Sequence, residues 1–112
     1  EGLRLRDGRP LLHFSSIFPA LLAEDLITHL NNRLSITQAL IASGINDYDR
    51  KQTRVTARTA TERMAGHLEI NAGDPVLVVK SLNTLPNGTI IEAGNSIMAG
   101  DRIELVVNSD KA

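Results

Sequence analysis

Side chains suited to binding a small anion occur near the start of the chain and at a predicted helix terminus. Arg4 alternates with Leu3 and Leu5. If Arg4 points inward it needs an anionic partner, because an unpaired buried charge is very costly. Ser35 and Thr37 open a predicted helix, and a helix start offers unpaired N–H groups and a positive dipole end. An anion site would explain this pattern, but on these residues alone a surface arginine and a plain helix cap explain it better.

A single carboxylate, Glu92, stands in a stretch that is otherwise uncharged from Pro86 until Asp101. It follows two isoleucines in a predicted strand. Glu92 is therefore either a solvent-facing residue of a half-exposed strand or a polar group lining a pocket. Strand alternation alone does not decide between these two interpretations.

The sequence lacks the motifs of metal sites, serine nucleophiles and nucleotide-binding loops. His13, His29 and His67 fall in separate predicted elements without a carboxylate at ligand spacing, so we expect no metal site. No G-x-S-x-G turn accompanies the serines, and both nucleotide-binding glycine loops are missing from the sequence. We therefore predict no catalytic residues, no enzymatic activity and no cofactor.

The composition describes an ordinary globular domain. The 112 residues are 42% hydrophobic, with a net charge of −1, so we expect a single domain over residues 1–112. This nearly balanced charge does not predict the basic surface patch that nucleic-acid binding usually needs. There is no cysteine, which fits a reducing compartment. Without a long apolar run or a signal-peptide pattern, we expect a cytoplasmic protein with no membrane partner.

Turn and cap signals divide the chain into strands and helices. Asp7-Gly8 predicts a hairpin turn, and Ser35 with Gln38 predicts a capping box. Thr59 with Glu62 predicts a second capping box. The predicted strands are 2–6, 10–18, 47–60 (with one wet face), 75–85, 89–98 and 102–109, and the predicted helices are 19–30, 35–44 and 59–70. The order ββ-α-α-β-α-βββ favours an α+β fold with a mainly antiparallel β-sheet flanked by helices.

Four stretches in this order resemble a known family. They are "LRLRDGRP", "LSITQALIASGI", "VTARTATERMAGHLEINAGDPVLVVKSL" and "NGTIIEAGNSIMAGDRIEL". Together they resemble the UTRA domain, the ligand-sensing part of GntR-family transcriptional regulators of the HutC subfamily. Within that family, the first hairpin is most similar to that of repressors of phosphonate utilisation in enteric bacteria. The resemblance implies a chorismate-lyase-like fold.

The resemblance also implies which residues would contact an effector. Arg4 matches an arginine that contacts the anionic group, and Glu92 matches a glutamate that accepts hydrogen bonds from the ligand. The remaining implied contacts are Ser15, Ser16, Ser35, Thr37 and Met98.

The sequence departs from the family pattern at several of these positions. Thr37 and Met98 stand where tyrosines are common, Phe14 where many members have a glutamate, and Gly2 where some have an arginine. These departures suggest a smaller and less hydroxylated anion than a sugar derivative, such as a short phosphonate.

As a member of this family, the chain would bind a small anionic effector of the phosphonate or sugar-phosphate class and form a homodimer. Operator DNA would be contacted only through a winged-helix domain. No helix-turn-helix precedes Glu1, so we expect this chain not to bind operator DNA by itself. Two alternatives stay open: a chorismate-lyase-like enzyme acting on a small carboxylate, and a dimerisation module with a vestigial pocket.

Overall fold

The computed structural model describes residues 1–108 and contains five strands and three helices. Its elements follow the order ββααβαββ. The strands are β1 (Gly2–Arg6), β2 (Arg9–Ile17), β3 (Asp49–Thr59), β4 (Pro75–Thr84) and β5 (Ile90–Ala99). The helices are α1 (Ala20–Asn31), α2 (Ile36–Ala42) and α3 (Glu62–Leu68).

The strands form one antiparallel sheet in the order β1-β2-β5-β4-β3. Asp7 and Gly8, with φ of 51° and 77°, connect β1 to β2, and positive φ at both turn residues is what a two-residue hairpin of this kind requires. The pairing places Gly2 opposite Phe14 and Leu3 opposite His13. The predicted α+β class with an antiparallel sheet and flanking helices is confirmed.

The last predicted strand, 102–109, is wrong over its described part. Arg102 lies in a turn and residues 103–108 form no strand, while Ser109 lies outside the described residues. Leu105, Val106 and Val107 are 42%, 67% and 94% exposed, so neither face of the segment is buried. High β-propensity does not make a strand where no neighbouring strand or core pairs with it.

Two further predictions need correction. The predicted cap at Thr59 is wrong, because Thr59 still belongs to β3 and Ala60 pairs through its backbone with Asp74. Helix α3 can begin only afterwards, with the Thr61 hydroxyl accepting from the Met64 N–H. The predicted single wet face of β3 is also wrong, since all eleven of its residues are exposed at the edge of the sheet.

The chain divides into two compact units. Within the described residues, the first unit consists of residues 1–14, 55–79 and 96–108. Its buried core contains Ala60, Ala65, Leu68, Val76 and Ala99.

Arg102 links three segments of this first unit. Its Nη1 donates to the carbonyls of Pro10, at 2.9 Å, and Leu68, at 2.7 Å, and its Nη2 donates to that of Glu69, at 2.9 Å. The Leu68 and Glu69 carbonyls lie at the C-terminal end of α3, where the helix itself provides no partner. The largely buried guanidinium, 10% exposed as a side chain, therefore fixes the end of α3 to the start of β2.

The second unit consists of residues 15–54 and 80–95. Helices α1 and α2 pack against each other there, with Leu26, Ala39 and Leu40 fully buried between them. Phe18 and Tyr48 pack against this cluster from the neighbouring chain segments. In residues 1–108, no helix is both long enough and apolar enough to cross a membrane.

Candidate functional site

A chain of directed hydrogen bonds runs through the second unit and includes two of the predicted site residues. Arg50 Nε donates to Asn83 Oδ1 at 2.8 Å, and Asn83 Nδ2 donates to Glu92 Oε1 at 3.0 Å. Ser16 Oγ donates to Glu92 Oε2 at 2.8 Å. The structure therefore brings Ser16 and Glu92 together, as contact with a common ligand would require.

The β4–β5 hairpin brings Asn83 to Glu92. Leu85 and Thr89 close the turn with a bond from Leu85 N–H to Thr89 O of 2.9 Å. Gly88 takes the positive φ of 90° that the turn needs. Asn83, which is 5% exposed, has its amide held by Arg50 on one side and Glu92 on the other.

Glu92 is half-buried and keeps the capacity to bind a ligand. Each carboxylate oxygen accepts one hydrogen bond from the protein. Because an ionised carboxylate offers about four acceptor positions, each oxygen can accept one further bond. A ligand hydroxyl or ammonium group is the matching donor.

An open cavity of about 370 Å³ lies in the same unit. It is lined by Ser15, Ile17, Gln52, Arg54, Lys80, Ser81, Leu82, Ala93, Gly94 and Asn95. Two of these residues are cationic, and among the described residues none that lines the cavity is acidic. Ser15 contributes to the wall, whereas Ser16 and Glu92 do not. Sequence reasoning missed both cations, because Arg54 stands in a basic run interpreted as a solvated strand and Lys80 in a strongly apolar strand.

Gly94 allows a close approach within the cavity wall. A β-carbon at this position would lie 2.8 Å from Ser81 Oγ and 4.0 Å from Ser16 Oγ. The missing side chain therefore leaves room for the Ser81 hydroxyl against the backbone of β5. Asn95 Oδ1, also at the cavity, is buried without a hydrogen-bond partner among the described residues.

The start of α2 has the predicted capping box. Ser35 Oγ accepts from Gln38 N–H at 3.1 Å, and Gln38 Oε1 accepts from Ser35 N–H at 2.9 Å. The Ser35 hydroxyl therefore stabilises the start of α2 by accepting a hydrogen bond, although it can still donate to another group. Thr37 is exposed one residue inside the helix. Contact of Ser35 or Thr37 with an effector stays a prediction.

Arg4 and Met98 belong to the first unit. Arg4 is exposed and its guanidinium carbon lies 5.7 Å from the centroid of the Phe14 ring, within the range of a cation–π contact. The ring also fills the space above Gly2, where a β-carbon would lie 2.8 Å from Phe14 Cζ. Met98 is half-buried on β5. The effector-binding roles of Arg4 and Met98 stay predictions.

Two of the three histidines are not isolated as the sequence had suggested. The rings of His13 and His67 stack at 4.1 Å between centroids and 8° between planes. His13 Nε2 also lies 2.9 Å from Glu1 Oε1. The third histidine, His29, lies on α1 in the other unit. The two rings meet through the packing of α3 against β2. A contact between such distant segments leaves no local sequence pattern, so it could not be predicted.

Comparisons with known proteins agree on one family. The model of the UTRA domain matches residues 1–104. An uncharacterised HTH-type transcriptional regulator of Rhizobium meliloti (strain 1021) is 30% identical over 103 residues, which are 92% of this chain and 42% of the relative. The chain thus spans less than half the length of this curated relative.

Solved structures give the same result. The C-terminal domain of PhnF has 27% sequence identity and a TM-score of 0.82, covering 96% of this chain and 67% of that one. A GntR-family transcriptional regulator from Enterococcus faecalis V583 has 25% identity and a TM-score of 0.75, covering 96% and 76% respectively.

Proposed function

Because the chain belongs to the UTRA domain family, we propose that it is the effector-binding domain of a bacterial GntR-family transcriptional regulator. The relatives support this proposal, since the Rhizobium protein and the Enterococcus protein are both named as transcriptional regulators. The effector is a small anion of the phosphonate or sugar-phosphate class. Its binding changes operator affinity through a DNA-binding domain attached to this one.

The cavity of the second unit is the observation that carries the choice of effector. Arg54 and Lys80 supply positive charge, and Ser15 and Ser81 supply hydroxyl donors. Guanidinium, ammonium and hydroxyl groups are the side chains that bind phosphonate or phosphate oxygens. The absence of an acidic lining residue within residues 1–108 removes the repulsion that an anion would otherwise meet.

The size of the cavity favours a short ligand. Ligand pockets commonly occupy about 300–1,000 Å³, and the 370 Å³ found here lies near the lower limit. A two-carbon aminoalkylphosphonate fits within this volume and is the effector that we propose. Glu92 does not line this cavity but has free acceptor capacity, and we propose on the family resemblance that it meets the ammonium end of the ligand.

Calorimetry with 2-aminoethylphosphonate, methylphosphonate and glucose 6-phosphate tests the effector class. We expect 2-aminoethylphosphonate to bind most tightly, because it alone combines a phosphonate with a donor for Glu92. No binding of any of these compounds at millimolar concentration would refute the proposal.

Substitutions then locate the anion. Arg54→Gln and Lys80→Gln should each weaken binding at least about tenfold, the loss typical of one charge-assisted hydrogen bond. Lys51→Gln is the matched control, because Lys51 is exposed on the same strand as Arg54 and does not line the cavity. Arg4→Gln tests the contact that the family resemblance implies. If Arg4→Gln abolishes binding while both cavity variants bind normally, the anion is held by Arg4 instead.

Regulation would follow from linkage in a homodimer, which we propose on the family resemblance. An effector changes DNA binding only if it favours one dimer arrangement over another, and by no more than its difference in affinity for the two. Sedimentation of the chain with and without effector measures the oligomeric state. A monomer at tens of micromolar under both conditions would contradict this part of the proposal.

A further inference from the structure

The stacked histidine pair of the first unit is accompanied by a carboxylate. Glu1 precedes β1, His13 lies on β2 and His67 lies in the last turn of α3. One ligand atom from each residue lies within 4.8 Å of the others. The first residue of the chain, strand β2 and helix α3 therefore bring two imidazoles and one carboxylate to one point.

We propose that Glu1, His13 and His67 form a binding site for a divalent transition-metal ion of the Zn²⁺ type. Two imidazoles with one carboxylate are a ligand set that zinc accepts, and this set leaves a fourth position open. Imidazole ligands favour zinc, cobalt, nickel or copper over the oxygen-seeking magnesium and calcium ions. The site lies outside the proposed effector cavity, whose lining residues all belong to the second unit.

Both rings can share one ion only if they turn out of their present stack, in which their planes lie 8° apart, because an imidazole nitrogen binds a metal ion in the plane of its own ring. Zinc binds imidazole nitrogen at about 2.0–2.1 Å and carboxylate oxygen at about 2.0–2.2 Å, so two ligand atoms on one ion lie roughly 3.3 Å apart. The present spacing within 4.8 Å can shrink to this value by rotation of side chains. Glu1 is free to rotate, since its side chain is 62% exposed.

The existing contacts indicate where the ion enters. The ring of His13 is held against that of His67 through its face, so the ion must bind at the ring edges. The edge of His13 that carries Nε2 already meets the Glu1 carboxylate at 2.9 Å. A metal ion would replace the proton shared there, and the exposed side of Glu1 gives it access from solvent.

Metal binding would join the residue before β1, strand β2 and helix α3. An ion that binds only the folded state stabilises it in proportion to its affinity and concentration. We therefore expect the midpoint of thermal unfolding to rise with added Zn²⁺. Without metal affinity, the same contacts would be only a ring stack and a histidine–carboxylate hydrogen bond.

Calorimetric titration of the full chain with ZnCl₂ in phosphate-free buffer tests the site. We expect about one equivalent to bind with micromolar or tighter affinity, since two imidazoles and a carboxylate make a three-ligand zinc site. His13→Gln and His67→Gln should each weaken binding at least about tenfold, because each removes one of three ligands. His29→Gln is the matched control and should bind as the natural sequence does. Absence of one-to-one binding, or equal loss in all three variants, would overturn the proposal.

A second measurement needs no substitution. In two-dimensional NMR spectra of the imidazole groups, added Zn²⁺ should shift the ring signals of His13 and His67 and leave those of His29 in place. Equal shifts of all three rings would mean diffuse surface binding and would also overturn the proposal. Because failure of zinc binding does not affect the phosphonate titration, the two proposals are tested separately.

Discussion

The hydrogen bonds of Glu92 have a fixed direction, which predicts different outcomes for two substitutions at this position. Arg50 Nε can only donate, so the oxygen of the Asn83 amide faces it and the Asn83 nitrogen must donate to Glu92. The Ser16 hydroxyl, in contrast, can either donate or accept. A residue at position 92 must therefore accept from Asn83, whereas its contact with Ser16 can reverse.

Glu92→Gln satisfies this requirement and Glu92→Leu does not. The glutamine oxygen accepts from Asn83 while its nitrogen donates to a turned Ser16 hydroxyl, so we expect a loss of unfolding free energy below about 1 kcal/mol. Leucine leaves the Asn83 nitrogen without a partner in a residue that is only 5% exposed. An unsatisfied buried donor costs about 1–3 kcal/mol, and the charged partner adds to this. We expect a total loss of about 2–4 kcal/mol.

Urea unfolding followed by circular dichroism measures both variants. Ser16→Ala is the control, because it removes one hydrogen bond to Glu92 and leaves the one from Asn83 in place; we expect a loss of about 1 kcal/mol. If the leucine and glutamine variants differ by less than about 0.5 kcal/mol, the directed network does not contribute to stability as argued. Glu92→Gln should also weaken 2-aminoethylphosphonate binding more than methylphosphonate binding, because only the former has an ammonium group.

Three further predictions concern stability. Arg102→Ala removes the donors to the Pro10, Leu68 and Glu69 carbonyls and should cost about 2–4 kcal/mol of unfolding free energy; a thermal midpoint equal to that of the natural sequence would contradict this. Ser35→Ala breaks the α2 capping box and should cost about 1 kcal/mol in urea unfolding, whereas Ser35→Asp should retain stability. Gly2→Ala forces the Phe14 ring aside and should cost about 1 kcal/mol; in a Phe14→Leu background the same change should be neutral or stabilising, as a double-mutant cycle would measure.

Local sequence signals predicted much of the fold correctly. The Asp7-Gly8 hairpin, the Ser35–Gln38 capping box and the β4–β5 hairpin are found as predicted, and the family resemblance is confirmed. Each of these features depends on residues only a few positions apart. The strand predicted from residue 102 does not form over 102–108. Its residues have high β-propensity, but no neighbouring strand pairs with them.

The site was less accessible to sequence reasoning, because its contacts join distant parts of the chain. Ser16 meets Glu92 across 76 positions, and His13 meets His67 through a strand–helix contact. Its isolation among uncharged residues pointed to Glu92, whose effector role stays a prediction, whereas its partner Asn83 carries no comparable signal. Arg54 and Lys80 could be recognised as candidate anion-binding residues only from the structure, which places both at one cavity.

The fit between Gly2 and the Phe14 ring sets an order in which these two positions could have changed. With Phe14 present, any side chain at position 2 begins with a β-carbon about 2.8 Å from the ring. A chain with a side chain at position 2 and a smaller one than phenylalanine at position 14 therefore has to lose the first before it gains the phenylalanine. The opposite order passes through a crowded intermediate. The two substitutions are therefore tolerated in one order only, and the change to glycine at position 2 has to come first.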